Sequence, residues 1–202
     1  MKSVRIISIL LAIICIFAFA GCKSSSVGTG KLIQNEDLIQ YDITPKDPDN
    51  VVSAADDHKT NDGYNYEKAD DTDLIPTDEE TEADGYTLTV KDEETEKSKN
   101  IASVYIEQGD LNILEIDIMT TDASDADLEA AVKLVRELIS SSFDNFPLTE
   151  LEETLPLSVA KIKALISNNV DESNTVYGRD TSTFVGYEYY ADSGILIIRA
   201  EL

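Results

Sequence analysis

Tryptophan is absent from this 202-residue chain, histidine occurs once, and cysteine twice. Lysine and arginine together number 16 against 40 aspartates and glutamates, a formal net charge of −24. Each scarcity closes a class of function. A chain so poor in cations cannot neutralise a run of phosphates, which excludes nucleic-acid binding. The same acidity repels anionic lipid headgroups, so the body of the chain is not built to lie on a membrane. The one histidine, His58, falls in the acidic stretch AADDHKTNDGYNYEKADD, expected to be disordered. A general base must be held within about 2.6–3.2 Å of its target, so no Ser-His or Cys-His nucleophilic pair is expected. Zinc sites of Cys and His are excluded by the same counts. Neither GxxxxGK[ST] nor GxGxxG occurs, so phosphate-cradling loops are missing as well. Only carboxylate chemistry remains. Asp122, Asp125 and Asp127 lack the order of an EF-hand loop and are expected to serve a helix N-terminus instead. A sugar-cleaving carboxylate pair would ordinarily be accompanied by tryptophan.

What is present begins at the N-terminus. Lys2 and Arg5 precede an unbroken apolar run from Ile6 to Ala20, and Phe19-Ala20-Gly21-Cys22 follows with small residues leading into a cysteine. The run is 15 residues long. A spanning helix needs about 20, so the segment reads as a secretory signal. It resembles the signal of bacterial lipoproteins, with Phe19 where a leucine is usual. That resemblance covers residues 1–22 alone. It implies cleavage before Cys22, lipid on Cys22, loss of Cys15 with the signal, and anchorage on the extracytoplasmic side of a bacterial membrane. Two or three acyl chains on one residue hold a protein firmly, since each buried methylene contributes about 0.8 kcal/mol.

Residues 22–85 are expected to be a lipidated cysteine followed by a disordered acidic linker. The stretch opens with KSSSVGTGK and continues through DITPKDPDN and PTDEETEADG, with sparse apolar residues and no period of 2 or 3.6. Such a composition does not offset an ordering cost of about 1–2 kcal/mol per residue. Two clusters interrupt this polarity, KLIQNEDLIQYDI and Tyr64/Tyr66, of which the first could form a short helix or a docking strand against the domain, the minority reading beside disorder.

Periodicity starts at Tyr86. Tyr86, Leu88 and Val90 alternate with threonines. Ala102, Val104 and Ile106 alternate next, and Leu114, Ile116 and Ile118 after them. Ser124-x-x-Asp127 is a capping signal for a helix striped by Leu128, Ala131, Val132, Val135, Leu138 and Ile139. Leu155, Val159, Ile162 and Ile166 mark a second helix, which Asn168 and Asn169 can end. Thr183 to Tyr190 and Leu196 to Leu202 form a final hairpin about Ala191-Asp192-Ser193-Gly194. The order β-β-β-α-α-β-β over residues 86–202 predicts one small α+β domain, an antiparallel sheet of about five strands with both helices on one face.

The candidate binding surface is the aromatic cluster Tyr177, Phe184, Tyr187, Tyr189 and Tyr190, because tyrosine pairs a large apolar face with a polar tip. In a strand, Tyr187 and Tyr189 face one way while Glu188 and Tyr190 face the other. The expected function is a membrane-anchored, non-enzymatic domain that binds or regulates a protein or envelope partner, with no cofactor and no metal. The alternative is a lipoprotein that senses a small molecule or a cation such as calcium.

Overall fold

Where apolar and polar residues alternate, successive side chains leave opposite faces of a strand, and the computed structural model pairs those alternations into one large sheet. The structure describes residues 33–35, 38–61, 63–69, 82–91, 97–109, 112–179 and 182–202. In chain order the elements are β1 (Ile33–Asn35), β2 (Leu38–Gln40), β3 (Thr44–Pro45), α1 (Asp49–Asp57), β4 (Tyr64–Lys68), β5 (Glu82–Lys91), β6 (Ser98–Gln108), β7 (Ile113–Met119), α2 (Asp125–Ser142), β8 (Phe143–Asp144), α3 (Val159–Asn168), β9 (Glu172–Tyr177), β10 (Phe184–Tyr190) and β11 (Ile195–Glu201). Seven strands run antiparallel in the order β9-β10-β11-β7-β6-β5-β4. Beyond β9, β2 joins in parallel through Gln40 and Tyr177, with β1 outside it. The architecture is α+β. The C-terminal strand lies inside the sheet between β10 and β7, which orders the terminus as its alternation required.

Helix α2 starts where the sequence signals it. Ser124 Oγ accepts from the Asp127 amide at 3.1 Å, and Asp127 Oδ2 accepts from the Ser124 amide at 2.9 Å, a reciprocal capping box. Its stripe, from Leu128 through Ala131 and Val135 to Leu138, is buried. Helix α3 is capped by Ser158 and ends at Asn169, whose φ of 51° turns the chain out of the helix. The helices cover the sheet face on which cross-strand rows run Tyr189-Leu196-Ile118-Ala102-Leu88 and Tyr187-Ile198-Ile116-Val104-Tyr86. Each such large side chain contributes roughly 1.5–3 kcal/mol by leaving water. A bulge opposite Leu88 and Thr89 leaves Ile101 without a partner, so both Ile101 and Ala102 are buried.

The expected linker differs most from the structure. Residues 38–61 and 63–69 belong to the folded body: Tyr41, Ile43, Val51 and Ala55 are in the core, α1 packs on α2, and β4 pairs with β5. The boundary at residue 85 is therefore corrected. Charge averaged over sixty residues hid a short helix with apolar residues only at Val51, Val52, Ala54 and Ala55. It also hid a strand whose alternation is carried by two tyrosines. The antiparallel sheet likewise has seven strands rather than about five, because β4 and the polar strand β9 were not foreseen. Residues 1–32, with the signal and Cys22, and residues 70–81 lie outside the described residues. Among the described residues, no helix is long and apolar enough to cross a membrane.

Candidate functional site

The sheet has two faces of different kinds. On the helix side, β7 and β11 place Leu114, Ile116, Ile118, Leu196, Ile198 and Ala200, all buried. On the other side the same strands place Ile113, Glu115, Asp117, Met119, Ile195, Ile197, Arg199 and Glu201, half-buried or exposed, and no described element covers them. Strand β6 adds Ser103, Tyr105 and Glu107 to this open face, and β10 adds Phe184, Glu188 and Tyr190. Tyr105 and Tyr190 are 40% and 41% exposed, two of the three large apolar side chains that stand out on the described surface.

This geometry divides the candidate aromatic cluster between the two faces. Tyr187 and Tyr189 are core residues, 3% and 4% exposed. The Tyr187 hydroxyl donates to Glu172 Oε1 at 2.5 Å, and Lys161 sits 5.8 Å over its ring. Burial, then Glu172, raises the Tyr187 hydroxyl. That hydrogen bond is the leading cause holding the Glu172 carboxyl below its usual range. Tyr190 belongs to the open face and donates to Glu188. Tyr177 and Phe184 pair at 6.4 Å near the sheet's β9 end. Strand parity separates the five residues, as the alternation of Tyr187 and Tyr189 with Glu188 and Tyr190 already implied.

At the centre of the open face is Asp117, flanked across the strands by Ser103 and Ile197. Its Oδ1 is closed off from solvent and has no hydrogen-bond partner among the described residues. Burial, reinforced by Glu115, pushes this carboxyl up to about 6. Arg199 Nε is 3.8 Å from Glu115 in the adjacent row. The face thus offers aliphatic and tyrosine contact area around an under-solvated carboxylate, an arrangement suited to binding.

Histidine was misplaced by sequence reasoning, and the structure corrects this. His58 ends α1 with its side chain 2% exposed, and its Nδ1 lies 2.8 Å from Glu137 Oε2 on α2. A carboxylate only accepts, so Nδ1–H donates. The ring also meets Tyr66 edge-on at 4.9 Å. Tyr66 stacks on Tyr86 at 5.6 Å, and the Tyr86 hydroxyl donates to Asp56 at 2.8 Å. Burial first, then the carboxylates of Glu137 and Asp56, raises the Tyr66 hydroxyl. So enclosed, His58 clasps α1 to α2 and is out of reach of a substrate. The single signal for it in the sequence was its position three residues after Ala55, on the apolar side of a short helix. Beside this clasp, a shallow groove of about 840 Å³ runs between Lys46, Asp47, Asn50, Glu137, Ser141 and Asp144. Lys46 already donates to the Ser140 carbonyl at 2.9 Å and reaches Asp144 at 3.7 Å.

Asp125 and Asp127, in the first turn of α2, are engaged in structure. Asp127 also accepts from the Tyr64 hydroxyl at 3.0 Å and from Lys99 at 3.2 Å. Burial pulls its carboxyl up, but hydrogen bonds from Ser124, Lys99 and Tyr64 outweigh burial and hold it below the usual range. Burial and the same contact raise the Tyr64 hydroxyl to about 12. Asp125 pairs with Lys163 at 2.9 Å. No group of metal-holding side chains occurs among the described residues. No protein-family model matches the chain, and comparison with curated proteins and with solved structures gives no match.

Proposed function

We propose that this is an extracytoplasmic bacterial lipoprotein, held to the membrane by lipid on Cys22, whose α+β domain binds a protein of the envelope through the open face of its sheet. The observation that supports the binding reading is the contrast between the two sheet faces. Ile113, Met119, Ile195 and Ile197 stay partly in water although the opposite face of the same strands is fully covered. Met119, Ile195 and Ile197 adjoin across β7 and β11 beside Asp117, and exposed apolar area set among polar groups is typical of interaction sites. The anchor reading is supported by Lys2, Arg5, the apolar run and Phe19-Ala20-Gly21-Cys22.

Both halves are testable in the full-length protein. Palmitate labelling and membrane fractionation should be lost in Cys22→Ser. A photo-reactive residue at Tyr105 should capture a protein in the intact cell, while the same residue at Glu129, exposed on α2, should not. Equal capture from both positions, or from neither, would remove the docking reading.

A further inference from the structure

Resting on the reading of the open face as a docking surface, we infer that its occupant is a cationic protein segment, a lysine or arginine between aliphatic side chains, with the cation seated on the Asp117 carboxyl. The first support is charge. On the open face, β6, β7, β10 and β11 carry Glu107, Glu115, Asp117, Glu188 and Glu201, and against them Arg199, which is turned toward Glu115. A surface of this sign attracts basic segments and repels acidic ones. It disfavours a second copy of the chain, whose net charge is −24, and the chain's own residues 70–81, DDTDLIPTDEET, which contain no lysine or arginine.

The second support is independent of net charge. Asp117 Oδ1 is buried with no donor among the described residues, so the carboxylate is left to its other oxygen, Oδ2, the one a partner's cation can reach. An isolated acidic surface residue stays hydrated and needs no partner. Asp117 is held in a setting where its charged form is disfavoured until a cation arrives, which agrees with the upward push from burial and Glu115. The neighbours define what surrounds that cation. Ile197 lies directly across the strand, and Met119 and Ile195 are two residues along on the same face. They offer apolar contact to the stem of a lysine or arginine and to aliphatic residues beside it.

The test places a photo-reactive residue at Ile197 of the full-length, membrane-bound protein in its own cells and sequences the cross-linked peptides. The captured peptide should carry lysine or arginine flanked by Val, Ile or Leu. Capture should fall about tenfold in the isosteric Asp117→Asn, as expected for loss of a charged hydrogen bond, and further in Asp117→Lys. Glu188→Lys, an exposed change on β10 in the same cross-strand row, should also lower capture, whereas Glu129→Lys on α2 should not. A captured peptide without lysine or arginine, or capture unchanged in Asp117→Asn, would overturn the cationic occupant while leaving the docking reading intact. Cross-links to a second copy or to residues 70–81, or none from Ile197, would overturn both.

Discussion

Ile197 and Ile198 are adjacent in the chain and identical in chemistry, yet Ile198 is 1% exposed in the core and Ile197 remains half-buried on the open face. The helices decide the difference. Strand geometry sends consecutive residues to opposite sides, and α1, α2 and α3 supply cover on one side only. Apolar residues on the covered side are explained by stability. Those on the other side, set among Glu115, Asp117 and Glu188, are the observation on which the proposed binding role rests.

The sharpest way to break this comparison is to truncate both sides. Ile116→Ala or Leu138→Ala should lose about 2–5 kcal/mol of unfolding free energy, because each opens a cavity in close-packed core. Ile195→Ala or Ile197→Ala should cost less than about 1 kcal/mol, since these side chains are already partly hydrated. Urea denaturation of the four variants would read this directly, and equal losses would mean that the open face is covered.

His58→Ala comes next. It removes the bond to Glu137 and the packing on Tyr66, and should cost about 1–3 kcal/mol with α1 becoming sensitive to protease. Residues 49–57 acting as an extended linker would give no change in melting temperature.

Asp117→Asn separates the faces by pH. The folded carboxyl titrates near 6, above its ordinary value of 3.8, so the folded state holds the proton more tightly than the unfolded chain. Stability from this group is fully present below pH 4 and is lost as pH rises through 6. The wild type should therefore fall relative to Asp117→Asn between pH 4 and pH 7, with the two similar at the acidic end. Parallel melting curves across that range would contradict the burial of Asp117. The smallest expected effect is Tyr190→Phe on the open face, within about 0.5 kcal/mol. Tyr187→Phe on the covered face frees Glu172 from its hydroxyl partner and should cost about 1 kcal/mol.

Much of the covered side was legible in the sequence. Strict alternation from Leu114 to Ile118 and from Leu196 to Ala200 marks strands with one buried face. Ser124 and Asp127 announced the start of α2, and Asn169 the end of α3. Elements whose stability comes from tertiary contacts were not legible. In α1, Val51 and Ala55 form a two-residue apolar face that means nothing without α2 to meet it. In β4, Tyr64 and Tyr66 alternate amid acids, and in β9 only Val176 is a buried apolar residue. His58 was hidden for the same reason, since its partner Glu137 lies 79 positions away. Of the candidate surface, the parity that sends Tyr190 and Tyr187 apart was readable. The isolation of Asp117 was not, because it depends on what Ser103 and Ile197 bring across the strands.

Single cysteines at positions 197 and 198, read by the rate of thiol labelling in the folded purified protein carrying Cys15→Ser and Cys22→Ser, test the difference between the faces most directly. The two-faced sheet predicts rapid labelling of Ile197→Cys and labelling of Ile198→Cys only on unfolding. Protection at both positions would show the chain covering its own sheet, and would contradict an open face available to a partner.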